Sequence, residues 1–139
     1  MSVHVTDQQT FIPRAKAACR RAASAVLGDR KVVVALVDDK TIAEVHGRFL
    51  DDPTPTDVIS FPHGEIVVSA QTALREARAR GIAPIDELTL YVVHGALHLG
   101  GHSDCSPKAR TRMRAAERRI LKSLGLDDVF GAQKKRKRR

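Results

Sequence analysis

Short β-branched runs alternate along this chain with longer stretches whose apolar residues recur at helical spacing, the pattern of strands interleaved with helices. VHV (Val3 to Val5) predicts a short strand, and Pro13 predicts the first position of an alanine-rich helix that stops near Gly28. KVVVALV (Lys31 to Val37) is too continuously apolar for a half-exposed strand, so it belongs inside the sheet. Asp38 and Asp39 are placed to cap a helix over residues 41–50. Prolines at 53, 55 and 62 exclude helix until Ser69. That leaves a loop, a strand near 57–60, a turn at 61–64 and a strand at 65–68.

Ser69 and Gly81 bracket AQTALREARAR as N-cap and stop. Pro84, with Asp86 and Glu87 in a first turn, opens a helix through ELTLYVVHGALHL. Being apolar almost all the way round, it should be the buried central helix. Ser106 and Pro107 start a last helix to about Leu124, with Met113, Ala116, Ile120 and Leu124 as a buried stripe and Arg110, Arg114 and Arg118 as a solvated face. Together these elements predict an α/β (α+β) fold, a small mixed sheet of about four strands packed with about five helices.

Length and charge refine the picture. The 139 residues suit one domain with a real core, placed at residues 1–130, followed by a basic tail at 131–139. The net charge is +8, but the six residues Lys134, Lys135, Arg136, Lys137, Arg138 and Arg139 supply most of it, leaving 18 basic against 16 acidic residues in the body. Such a run is expected to be disordered and can grip RNA phosphates, act as a targeting tag or aid solubility; RNA contact is the favoured role. Aromatic residues make up only 4% of the chain, so a base-stacking platform is not expected. Cys19 and Cys105 are the only cysteines, too few for a secreted disulfide scaffold. No apolar run approaches the roughly 18 residues of a membrane span, and the expectation is a soluble, cytoplasmic protein.

The candidate chemistry lies in HGALHLGGHSDC, residues 94–105. His94 and His98 are one helical turn apart, so their rings share a face and can converge on one ion. The bland alternative is a pair of core histidines satisfied by carbonyls. Gly100 and Gly101 end the helix and let the chain reverse, which brings His102, Asp104 and Cys105 within reach as third ligands. Three protein ligands leave a fourth position open, as in catalytic zinc sites, whereas a fourth ligand from Cys105 would make the site structural. The HExxH metalloprotease signature has its glutamate general base where this chain has Gly95, so peptidase chemistry of that type lacks its base.

Three blocks in this order give the chain a resemblance to the YbeY family of endoribonucleases, bacterial ribosomal RNA maturation factors. PTDVISFP (Pro55 to Pro62) is similar to the family's PTDVLSFP, GEIVVS (Gly64 to Ser69) to its GDIVIS, and HGALHLGGHSD (His94 to Asp104) to its HGxLHLxGYDH. The resemblance implies an α/β fold with a zinc site at the C-terminal end of the central helix. It also implies metal-dependent cleavage of single-stranded RNA, in maturation of the small-subunit RNA 3′ end and in ribosome quality control. Zn2+ carries over onto His94 and His98. The family's third histidine falls on Asp104, which is therefore preferred as third ligand, with His102 the runner-up, and catalysis would run through these ligands. A carboxylate ligand offsets part of the zinc charge and acidifies a bound water less, so activity would need higher pH or another metal.

The family also commonly places an asparagine, two residues, an aromatic and an arginine before PTD; here those positions read His46, Phe49 and Leu50. The arginine expected to act on phosphate is missing, and Arg48 is a weak substitute, since two residues turn a helical side chain by about 200°. Implied partners are single-stranded or ribosomal RNA, the small ribosomal subunit and an Era-like GTPase. Thr56, Asp57 and Ser60 are expected to shape the groove and sheet edge, with Asp57 either a structural cap or a support behind the metal ligands, and His63 to be a surface turn residue. The rival to a nuclease is a noncatalytic, zinc-containing ribosome-assembly factor that binds RNA; a hydrolase of peptides or small molecules fits the basic tail poorly.

Overall fold

A computed structural model of the chain describes residues 2–50, 56–103 and 105–126. Nine elements follow in the order β1 (Val3–Asp7), α1 (Ala15–Leu27), β2 (Val32–Val37), α2 (Asp39–Leu50), β3 (Val58–Phe61), β4 (Glu65–Ser69), α3 (Ala70–Arg80), α4 (Pro84–Leu99) and α5 (Pro107–Ser123). The sheet runs β1-β2-β4-β3. The pairings β1–β2 and β2–β4 are parallel, and β3 lies antiparallel on β4 as an edge strand. This is the small mixed sheet of an α/β fold, and the expected hairpin is there, with Gly64 at φ 105° closing its turn through a hydrogen bond from its N–H to the Phe61 carbonyl.

Strand alternation divides the core in two. Val34 and Leu36 of β2 and Ile66 and Val68 of β4 meet α1, α4 and α5, in a cluster that includes Leu88, Val92, Met113 and Leu121. Burying each of these side chains is worth roughly 1.5–3 kcal/mol. On the opposite face Val37, Ile59 and Val67 form a smaller cluster with Ile42 of α2. KVVVALV therefore does run through the sheet interior, yet the single helix on this second face leaves Val33 38% exposed.

The local signals at helix ends hold at most sites. Ser69 and Ser106 accept hydrogen bonds from Thr72 N–H and Ala109 N–H, Gly81 ends α3 in the left-handed region at φ 71°, and Pro84 opens α4. Three details differ. Pro13 precedes α1 without occupying its first turn, because Arg14 takes a left-handed conformation before the helix begins. Asp38 caps α2 through the Thr41 N–H, whereas Asp39 lies within the helix and spends its carboxylate on Ser69, Thr72 and Arg75, clamping α2 to the start of α3. Leu121 is the buried residue near the end of α5, with Ile120 and Leu124 only partly covered.

Candidate functional site

The site depends on how closely α4 can approach the β3–β4 hairpin, and Gly95 sets that distance. A Cβ at Gly95 would meet Ile66 Cγ2 at 2.7 Å and Val58 Cγ2 at 2.9 Å, so only a bare backbone fits. Ser60 Oγ then donates to the Gly95 carbonyl at 2.8 Å, tying edge strand to helix. The position that lacks the metalloprotease glutamate is thus also one where no side chain has room.

With α4 held there, His94 and His98 face a cleft of 370 Å³ lined also by His46 and Leu50 of α2 and by Thr56, Asp57, Val58, Ile59 and Ser60. The two Nε2 atoms stand 3.2 Å apart, with ring planes at 74°. Two lone pairs at that distance repel unless a proton or a cation lies between them. Imidazoles bound tetrahedrally to one zinc at about 2.0–2.1 Å place their nitrogens about 3.3–3.4 Å apart, so the pair fits two positions of such an ion. Helical spacing supplied the pairing, and the packing of α4 against β3 turns it toward open space.

His94 is oriented from behind. Its Nδ1 lies 3.3 Å from Oε2 of Glu117 on α5, and since a carboxylate only accepts, Nδ1 carries a proton there, which in the neutral imidazole leaves Nε2 with its lone pair for the cleft. Glu117 did not emerge from the sequence, where α5 divided into a buried stripe and an arginine face. One signal was available: it is the sole carboxylate in PKARTRMRAAERRILKS.

The other candidates divide as follows. Asp104, the preferred third ligand, and the tail Lys134 to Arg139 lie outside the described residues. His102 uses its backbone N–H to cap the Leu97 carbonyl, and Cys105 is exposed. Among the described residues no group of three or more His, Cys, Asp or Glu is arranged to hold an ion, so neither joins the pair in such a group. Arg48 is exposed on α2; the cleft instead receives His46 and Leu50, one turn apart on the other side of that helix. Asp57 lines the cleft and accepts from the Val58 N–H at 2.8 Å. His63 is a surface turn residue, 3.2 Å from Glu65. Cys19 is a core residue, its thiol pushed up to about 12 by burial and secondarily by Asp7. No helix among the described residues is long and apolar enough to cross a membrane.

Comparison with known proteins identifies relatives of this chain. Residues 3–125 match the family model of Endoribonuclease YbeY. The Endoribonuclease YbeY of Rhodopirellula baltica is 45% identical over 118 residues, spanning 76% of this chain and 61% of that protein. The one from Azorhizobium caulinodans is 35% identical over 130 residues, spanning 81% and 82%. A solution structure from Thermotoga maritima superposes with a TM-score of 0.59 at 24% identity, over 88% of this chain and 91% of that one, a likeness of fold.

Proposed function

The chain belongs to the YbeY endoribonuclease family, and from that premise we propose that it is a zinc-dependent endoribonuclease that cuts single-stranded RNA in ribosomal RNA processing. The observation that carries the zinc proposal is the convergence of His94 and His98 Nε2 at 3.2 Å on the cleft. His94, His98 and Asp104 would hold the ion, and when bound it supplies Lewis-acid stabilisation of charge developing on a phosphate oxygen. Glu117 fixes the tautomer of His94, and the Ser60–Gly95 hydrogen bond fixes the cleft wall against α4. Thr56 offers a hydroxyl to a bound strand along that wall, where Ser60, its proton already donated to Gly95, can only accept. Small-subunit RNA and an assembly GTPase of the Era type are the partners this role calls for, in the cytoplasm.

A second reading has an observation of its own. Leu50 lines the cleft where the family resemblance calls for a phosphate-binding arginine, and Arg48 is not among the lining residues. A cleft short of that cation suits a noncatalytic assembly factor that binds RNA and keeps its metal for stability.

Cleavage of single-stranded ribosomal RNA by zinc-loaded protein, beside His98→Ala and Asp104→Ala proteins prepared identically, separates the two. Cutting by the parent and by neither variant is the expected result. Equal inertness of all three across pH and metals would leave the assembly-factor role.

A further inference from the structure

Two of the chain's four phenylalanines meet beside the cleft, each next in sequence to a residue that lines it, Phe49 to Leu50 and Phe61 to Ser60. Phe49 and Phe61 stand edge to face, ring centroids 5.6 Å apart at 76°, and His63 stacks on Phe61 at 5.6 Å and 23°. Phe61 is anchored in the smaller core beside Val37, Ile42, Ile59 and Val67. Phe49, by contrast, is 61% exposed, and its neighbour Leu50 is 53% exposed. With Val33 they are the exposed large hydrophobic residues among the described residues. Leu50 also lines the cleft that His94 and His98 face, so the exposed apolar pair Phe49 and Leu50 adjoins the polar cleft through Leu50.

We propose that Phe49, steadied edge-on by Phe61, is a stacking subsite for one unpaired nucleobase of an RNA strand lying in the cleft. The inference rests on the cleft being an RNA site. An exposed ring costs solvation and is tolerated where a flat partner covers it; every nucleobase has such a face, whatever its identity. A base in a duplex has both faces covered by its neighbours, so a stacking subsite admits an unpaired strand and rejects a paired one. The patch is two side chains wide, far short of the roughly 1,000 Å² that a stable protein partner requires. The polar lining from His46 and Thr56 suits the sugar and phosphate that would follow the base into the cleft, and Asp57 can accept from a ribose hydroxyl but not face the phosphate. Low aromatic content argued against a stacking platform, but a single subsite needs only one exposed ring and one ring to brace it.

The test is binding of a fluorescein-labelled single-stranded ribooligonucleotide to the full chain, read by anisotropy in EDTA so that no strand is cut, with zinc-dependent cleavage measured separately on the same proteins. Phe49→Ala should weaken binding about fivefold to a hundredfold, the range one stacked base is worth, and Phe49→Trp should restore it. Replacing one nucleotide by an abasic analogue should weaken the parent to the same degree at one position and cost Phe49→Ala nothing further there. Phe49→Leu separates ring from grease: it should behave like the alanine variant. Parent-like binding by Phe49→Ala or Phe49→Leu overturns the proposal; for the leucine variant alone, that result would mean that apolar contact and not ring stacking holds the strand. Binding that depends on Phe49 without cleavage would sink the nuclease role alone, whereas cleavage with Phe49-independent binding would sink the stacking subsite alone.

Discussion

Nδ1 of His94 on α4 and Oε2 of Glu117 on α5 lie 3.3 Å apart, a contact that joins two helices and decides which nitrogen of His94 faces the cleft. Carboxylates placed behind a ligating histidine typically contribute 10- to 100-fold to metal affinity. Glu117→Ala should therefore weaken zinc binding by about that factor, read by competition with a chromophoric chelator, with Glu117→Gln intermediate. Unchanged affinity in the alanine variant would remove Glu117 from the site.

Gly95 carries the helix-to-hairpin contact. Gly95→Ala puts a methyl group within 3 Å of Ile66 and Val58, and overpacking of this kind costs about 1–3 kcal/mol. The urea midpoint should fall at unchanged m, and zinc affinity should fall with it because His94 and His98 move off the cleft wall. A variant as stable as the parent would mean that α4 and the hairpin separate freely.

Asp39 predicts an acid-sensitive clamp. Partial burial pushes its carboxyl up, but hydrogen bonds from Ser69, Thr72 and Arg75 outweigh that and hold it below the usual carboxylate range. A group depressed in the folded state contributes stability that is present above its unfolded value of about 3.9 and is lost as pH falls through the lower folded value. Asp39→Ala should lower the urea midpoint at pH 7, and the gap from the parent should close as pH drops below about 4. A gap independent of pH would assign the loss to packing rather than charge.

The two thiols should differ sharply. Cys19 is fully buried with its thiol pushed up to about 12, and Cys105 is exposed. Because the thiolate is the reactive form, Ellman's reagent at about pH 8 should titrate one thiol in the native protein and two in denaturant. Cys105→Ser should abolish the fast native reaction; two fast thiols in the parent would show that α1 opens readily.

Glu87 is fully buried and paired with Arg80 at 2.9 Å. Removing one member of such a pair strands a charge and costs about 3–5 kcal/mol. Arg80→Ala should lower the urea midpoint far more than Arg78→Ala on the same helix, and equal effects would show that Glu87 is satisfied by other groups.

The order and kind of elements were legible in the sequence because each is written locally: β-branched runs at β2 and β4, Ser69 and Ser106 as caps, Gly81 as a stop, and an apolar α4 that had to lie at the centre. Helical spacing likewise paired His94 with His98 from residue numbers alone, and the three sequence blocks pointed to the family that residues 3–125 match. Departures arose where a neighbour outweighed local preference, as when Arg14 turned left-handed before α1 or when Asp39 bonded to α3 instead of capping its own helix. What the sequence by itself determined was therefore the set of elements, most of their ends and one pair of converging histidines, because these follow from forces within a few residues. Tertiary structure alone decided that Glu117 stands behind His94, that Gly95 admits the hairpin, and that Phe49 meets Phe61 beside the cleft. Each of those contacts joins residues on different elements, and their meeting depends on the packing of the whole core.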